Sequence, residues 1–166
     1  DKARQICNHG MKVRYYHELI GVNSRLDSIQ AAILRIKLRS LDDYCDARRS
    51  AADFYDAAFA DVSEIQTPAR FVDSTHTFHQ YTMRVPAEDR NHLQKHLMDQ
   101  GIPAMIYYPV PLHEQEAFDH LKTGNVDYPV TVQLSKEVLS LPMHTELSED
   151  QLKTITQEVL SYFKNK

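Results

Sequence analysis

The residues best suited to chemistry lie in three short stretches: Gly21-Val22-Asn23-Ser24-Arg25, His76 to Tyr81, and Tyr107-Tyr108-Pro109-Val110-Pro111-Leu112-His113. An apolar-periodic segment follows the first, so it reads as the start of a helix, with Ser24 and Asp27 spaced as a capping box in which Asp replaces Glu or Gln. A helix N-terminus offers unpaired N–H groups and partial positive charge, which suit a phosphate or carboxylate. Asn23 would add an amide donor and Arg25 a permanent, forked cation; plain capping is the competing reading. In the second stretch His79 and Tyr81 are two apart, so on a strand both project from one face. In the third, two prolines fix an extended loop and leave the Tyr107 and Tyr108 hydroxyls near its edge. Core tyrosines are the competing reading for both.

Other chemistries find weaker support. His92 and His96 are four apart on an expected helix, a zinc-binding spacing, but the Glu of H-E-x-x-H is missing and no third ligand is indicated, which favours a solvated face. Cys7 and His9, two apart, point away from each other on a regular element, and cysteine is more often simply buried. Asp42, Asp43, Asp46 and Asp53 alternate with Arg39, Arg48 and Arg49 in the pattern of a salt-bridged outer helix face. With four glycines there is neither G-x-G-x-x-G nor a phosphate loop.

These stretches must be held by the elements between them. Leu26, Ile29, Ile33 and Ile36, with Leu34, Leu38, Leu41 and Cys45 beside them, predict a broad-faced, well-buried helix from Ser24, continuing through Ala58 with a break near Asp42-Asp43. His76 to Val85 predicts a strand stopped by Pro86. Asp89 to Gln100 predicts a helix with Leu93 and Leu97 inside and Gly101 as its stop. Ile102 to Tyr108 predicts a strand, Glu114 to Leu121 a short helix, Pro129 to Leu139 a helix, and Leu139 to Leu141 a short strand. Ser148 to Phe163 predicts a final amphipathic helix with Leu152, Ile155, Val159 and Leu160 inside and a Ser148/Gln151 capping box. The order implies an α/β or α+β layer, with a boundary at about Asp61 to Thr67.

The chain has 166 residues, 42% hydrophobic and 25% charged, as in globular proteins. A net charge of −4 gives no electrostatic reason for nucleic-acid or anionic-membrane binding. No run approaches the roughly 18 apolar residues of a membrane span. Cys7 and Cys45 make no disulfide framework, which suits a reducing cytoplasm. Starting at Asp1, in what reads as the end of a helix, the sequence looks cut from something longer.

Together, H-E-L-I-G-V-N-S-R-L-D-S-I-Q-A-A-I-L (His17 to Leu34), F-H-Q-Y (Phe78 to Tyr81), G-I-P-A-M-I-Y-Y-P-V-P-L-H (Gly101 to His113) and L-S-L-P-M-H-T-E-L (Leu139 to Leu147) resemble, in order, the C-terminal half of the DegT/DnrJ/EryC1/StrS sugar aminotransferases. Within that family the resemblance is to enzymes that aminate UDP-linked keto-sugars for lipopolysaccharide or surface-glycan synthesis. It implies an aspartate-aminotransferase-like, fold-type-I homodimer with shared active sites, pyridoxal phosphate as cofactor and, as amino donor, glutamate. By the same resemblance, Asn23 would reach the cofactor phosphate of the neighbouring subunit, and Arg25, His79, Tyr81, Tyr107 and Tyr108 would line the substrate side. His17 and His144 match motif positions without an assigned role. Residues 1–60 would be the end of the large domain with its connecting helix, and 61–166 the small C-terminal domain. The Schiff-base lysine of the family has no match here, so the chain alone is expected to be inactive and, with one helix face uncovered, to self-associate. A non-catalytic nucleotide-sugar-binding module of the same fold is the alternative.

Overall fold

A computed structural model of the chain describes residues 1–121, 127–164 and 166. These residues form two compact units, Asp1–Asp42 and Asp43–Lys166. The division falls at Asp42/Asp43, where the sequence predicts a break in the long helical segment, and upstream of the domain boundary expected near Asp61.

The first unit holds α1 (Lys2–Cys7), a hairpin of β1 (Met11–Val13) and β2 (Tyr16–His17), and α2 (Ser28–Lys37), followed by a 3-10 turn at Leu38–Ser40. The hairpin is not foreseen from the sequence. Its base depends on two glycines. Gly10 has φ +78, and a Cβ there would stand 1.7 Å from the Leu19 carbonyl oxygen; a Cβ on Gly21 would stand 2.2 Å from the Gly10 nitrogen. Only glycine permits this approach. The expected well-buried helix from Ser24 is corrected twice. Helix α2 starts at Ser28, with Asp27 as its N-cap accepting from the Ile29 and Gln30 amides at 2.8 and 3.3 Å, and none of its residues is buried in this chain.

The second unit starts from α3 (Leu41–Phe59), which begins at the junction of the units, and adds β3 (Tyr81–Arg84), α4 (Ala87–Asp99), 3-10 turns at Leu112–Glu114 and Glu116–Leu121, α5 (Pro129–Glu137), β4 (Val138–Leu141) and α6 (Glu149–Lys164). Strands β3 and β4 are antiparallel, with Tyr81 opposite Leu141 and Met83 opposite Leu139. Single bridges extend the pair on both edges, Gln66 to Arg84 and Met105 to Ser140. One core joins these elements: Tyr55 and Phe59 of α3, Tyr81 and Met83 of β3, Leu93 and Leu97 of α4, Leu139 of β4, and Ile155 and Val159 of α6. Gly101, at φ +76, ends α4 as expected. Helix α6 carries the expected capping box: the Gln151 amide donates to Ser148 Oγ and the Ser148 amide to Gln151 Oε1.

Two expected strands shrink. Ile102 to Tyr108 retains only the Met105 bridge, because Pro103 and Pro109 carry no N–H. His76 to Val85 becomes a strand only from Tyr81. Upstream of it, arginine side chains take the carbonyls a ladder would have used: Arg49 Nε donates to His76 O, and Arg48 Nη1 to Phe78 O and His79 O, each at 3.2 Å. The expected short helix at Glu114 to Leu121 is present as a 3-10 helix at Glu116–Leu121, preceded by a 3-10 turn at Leu112–Glu114.

Candidate functional site

The Asn23 stretch is built by backbone pairing and not by a helix end. The Val22 amide donates to Ile6 O at 2.9 Å, the His9 amide to Val22 O and the Ser24 amide to Cys7 O, both at 3.0 Å, so Asn8 and Asn23 pair as an antiparallel bridge. Ser24 is therefore occupied in this pairing and caps nothing. The Ile29 and Gln30 amides at the start of α2 donate to the Asp27 carboxylate, which competes with any anion at that helix terminus.

Arg25 braces the same pairing. Its Nη1 donates to Cys7 O at 2.7 Å and to the carbonyl oxygen of the preceding Ser24 at 2.8 Å, and its Nη2 to Asn8 Oδ1 at 2.8 Å. Both terminal nitrogens of the fork are thus turned onto the chain itself. Asn23 differs: its side chain is exposed and makes no hydrogen bond among the described residues. Two donors of its amide remain for another group. Close by, His17 Nδ1 lies 2.8 Å from His9 O, and Lys12 pairs with Glu18 at 3.0 Å.

In the second unit, His79 and Tyr81 part company, which corrects the reading that both project from one strand face. The strand begins only at Tyr81, and Phe78, at φ +46, turns the chain just before it. His79 is exposed; Tyr81 is fully buried, and its hydroxyl donates to Asp56 Oδ1 at 2.6 Å. Burial, reinforced by the adjacent Asp56 carboxylate, pushes its phenol well above the ordinary value. Tyr81 is thus a core residue that fastens β3 to α3, and it offers no surface to a substrate. Asp56 also pairs with Arg70 at 2.6 Å, and Arg70 with Asp53 at 2.7 Å, while the Arg70 guanidinium lies 4.7 Å over the Phe78 ring. The sequence reading of Arg48, Arg49 and Asp53 as a solvated ladder missed this role. A charged helix face carries no local signal of such long-range ties.

Tyr107 and Tyr108 stay accessible, at 37% and 75% exposure. They border a cavity of about 660 Å³ walled by Pro109, Pro111 and Leu112 on one side and by Thr131, Leu134 and Ser135 of α5 on the other. The wall is mainly apolar, with the two phenols, Gln115 and the Thr131 and Ser135 hydroxyls as polar points. His96 of the candidate zinc pair instead faces Glu158 at 3.2 Å, and His92 is exposed. Among the described residues no helix is long and apolar enough to cross a membrane.

Residues 1–160 match the model of the DegT/DnrJ/EryC1/StrS aminotransferase family. Over 169 residues the chain is 40% identical to a pleiotropic regulatory protein of Geobacillus stearothermophilus, covering 99% of this chain and 44% of that one. It is also 40% identical to the UDP-N-acetyl-3-dehydro-alpha-D-glucosamine 3-aminotransferase of Acidithiobacillus ferrooxidans, covering 93% and 40% respectively. Among solved structures, S. venezuelae DesV in complex with a ketimine intermediate is similar with a TM-score of 0.84 at 33% identity, covering 97% of this chain and 43% of that one. The chain thus spans less than half the length of these relatives. On this sequence and structural evidence the chain belongs to the DegT/DnrJ/EryC1/StrS aminotransferase family.

Proposed function

We propose that the chain is the C-terminal portion of a pyridoxal-phosphate-dependent aminotransferase that transfers an amino group, with glutamate as donor, to a UDP-linked keto-sugar in cytoplasmic synthesis of a surface polysaccharide. The observation that carries the reading is the family match across residues 1–160, which runs through the motif where Asn23 stands exposed with its amide unpaired. The 40% identity to an aminotransferase named for a UDP-linked 3-dehydro sugar supports the substrate class. Bound pyridoxal phosphate supplies an electron sink and a carrier for the amino group. In this reading Asn23 donates its amide N–H groups to the cofactor phosphate of a second copy of the protein, and Arg25, braced on Cys7 and Asn8, keeps Asn23 in place. His79, Tyr107 and Tyr108 lie on the nucleotide-sugar side, with residues 61–166 as the small domain.

The residues present fit the phosphate end of the cofactor and not its aldehyde end. Every lysine among the described residues is exposed, and Lys12, Lys95, Lys153 and Lys166 are in ion pairs. None is a desolvated amine poised for covalent attachment. By the family resemblance no lysine of this chain stands in the motif context of the cofactor-linking lysine, so we place that residue in another part of the enzyme and expect the 166 residues alone to be inactive. The test is 2-oxoglutarate release from glutamate by the intact protein, supplied with pyridoxal phosphate and a panel of UDP- and dTDP-linked 3- and 4-keto-sugars. Turnover confined to the UDP-linked substrates is expected. No release with any of them contradicts the aminotransferase reading, and release with dTDP-linked substrates alone contradicts the substrate class. A non-catalytic nucleotide-sugar-binding module is favoured by one observation, the regulatory name of the 40% identical relative. Sugar-nucleotide binding without 2-oxoglutarate release would select it.

A further inference from the structure

Arg48 sits on α3 within the charge pattern that resembles a solvated face, yet it is half-buried and makes no ion pair among the described residues. Its Nη1 instead points at three backbone carbonyls: Phe78 O and His79 O at 3.2 Å, and Met143 O at 3.4 Å. The first two precede β3 and the third follows β4. Neither stretch is helix or strand, so each depends on side chains to hold its backbone. The first is also tied through His76 O to Arg49 and through the buried Phe78 ring; the second through Pro142 O, which accepts from the Tyr55 hydroxyl at 2.9 Å. Arg48 alone reaches both among these donors. Each stretch carries a histidine of the family-like motifs at the point of attachment, His79 on one and His144, next to Met143, on the other.

We infer that Arg48 is a positioning residue: it locks the His79 stretch and the His144 stretch into one frame on α3, and this frame sets how the sugar-nucleotide substrate is held. The substrate clause rests on the aminotransferase reading, whereas the coupling of the two stretches does not. A cation shared among three carbonyls suits this task, because each carbonyl is held without a competing carboxylate that could draw the side chain away.

The test uses the intact protein that carries this chain, with the imidazoles labelled with nitrogen-15 and the His79 and His144 signals assigned through H79Q and H144Q. Arg48→Met keeps most of the aliphatic stem and removes the donors. Arg48→Lys keeps a charge and three N–H groups, and Arg90→Met removes a comparable tie to the Ser135 and Val138 carbonyls elsewhere in the same unit. In folded R48M the His79 and His144 signals both move, R48K moves them less, and R90M leaves them in place. With substrate, R48M raises KM for the sugar nucleotide about tenfold, while kcat and KM for glutamate stay within about twofold. Unmoved signals, movement of only one histidine, or the same movement in R90M overturns the inference. Should R48M not fold, R48K decides by the same signals. Absence of transamination in the wild type would sink the aminotransferase reading and leave the imidazole result to judge the coupling. An unchanged sugar-nucleotide KM beside moved signals would overturn the substrate clause alone.

Discussion

In α6, Leu152, Ile155 and Val159 recur at three- and four-residue spacing and are buried; in α2, Ile29, Ile33 and Ile36 recur at the same spacing and stand 73%, 50% and 68% exposed. The contrast extends to the units that hold them. Within Asp1–Asp42 only Gln5 and Gly10 are buried, whereas Asp43–Lys166 contains the whole apolar core. Periodicity reports which face of a helix is apolar, and burial needs a second surface to meet it. The first unit is held by backbone pairing, a glycine contact and the Arg25 brace; the second by packing.

The largest expected effect separates the two modes directly. Leu97→Ala, at a site with no exposure, should cost the second unit about 2–5 kcal/mol in urea unfolding of the chain, while Ile33→Ala should cost less than about 0.5 kcal/mol. Equal losses would show that α2 and the second unit's core are packed alike. The isolated chain is expected to self-associate through the exposed α2 face, and Ile33→Glu should lower its mass by light scattering; an unchanged mass would contradict this.

Glycine gives the next contrast. Gly10→Ala forces a Cβ into the Leu19 carbonyl at a left-handed position, so the pairing of residues 5–10 with 19–24 should open, read as loss of amide-exchange protection at Val22 and Ser24. Gly101→Ala, also left-handed but with nothing within 4 Å, should cost only about 1–2 kcal/mol of backbone strain. A third pair concerns caps: Asp27→Ala and Ser148→Ala should each remove about 1 kcal/mol of helix stability. The first should reduce helix content by circular dichroism without moving the unfolding of the second unit, and the second should move that unfolding. The smallest effect is electrostatic. Hydrogen bonding from Gln133 and then from Arg84 holds the Glu137 carboxyl below its ordinary 4.5. Its folded pKa is depressed, so its stabilisation is present above pH 4.5 and is lost as pH falls through the folded value. Glu137→Gln should flatten the acid limb of the stability profile of the second unit.

What was legible in the sequence was what local chemistry decides. Gly101 stops α4, Ser148 and Gln151 box α6, and Pro129 opens α5, because each signal acts within one turn of chain. The start of α2 was misplaced because Ser24 and Asp27 are both good caps, and the choice falls to Cys7, 17 residues upstream of Ser24, whose carbonyl takes the Ser24 amide. The hairpin of β1 and β2 carries no Asn-Gly or Asp-Gly turn and was invisible. The strand expected from His76 is shorter because Arg48 and Arg49, about thirty residues away, take its carbonyls. Of the candidate site residues, Asn23, Arg25, His79, Tyr107 and Tyr108 are exposed, but Arg25 grips its own chain; Tyr81 lies in the core. Residue type and spacing marked the stretches, but only long-range pairing shows which side chain in each faces outward.

Whether Asn23 holds the cofactor phosphate is read most directly from the affinity of the intact protein for pyridoxal phosphate and for pyridoxal, followed by absorbance titration in wild type and Asn23→Ala. The substitution should weaken pyridoxal phosphate binding about tenfold, the worth of a hydrogen bond to a charged group, and leave binding of pyridoxal, which lacks the phosphate, unchanged. Unaltered binding of pyridoxal phosphate, or an equal loss for both, would contradict the assignment of Asn23 to the cofactor phosphate.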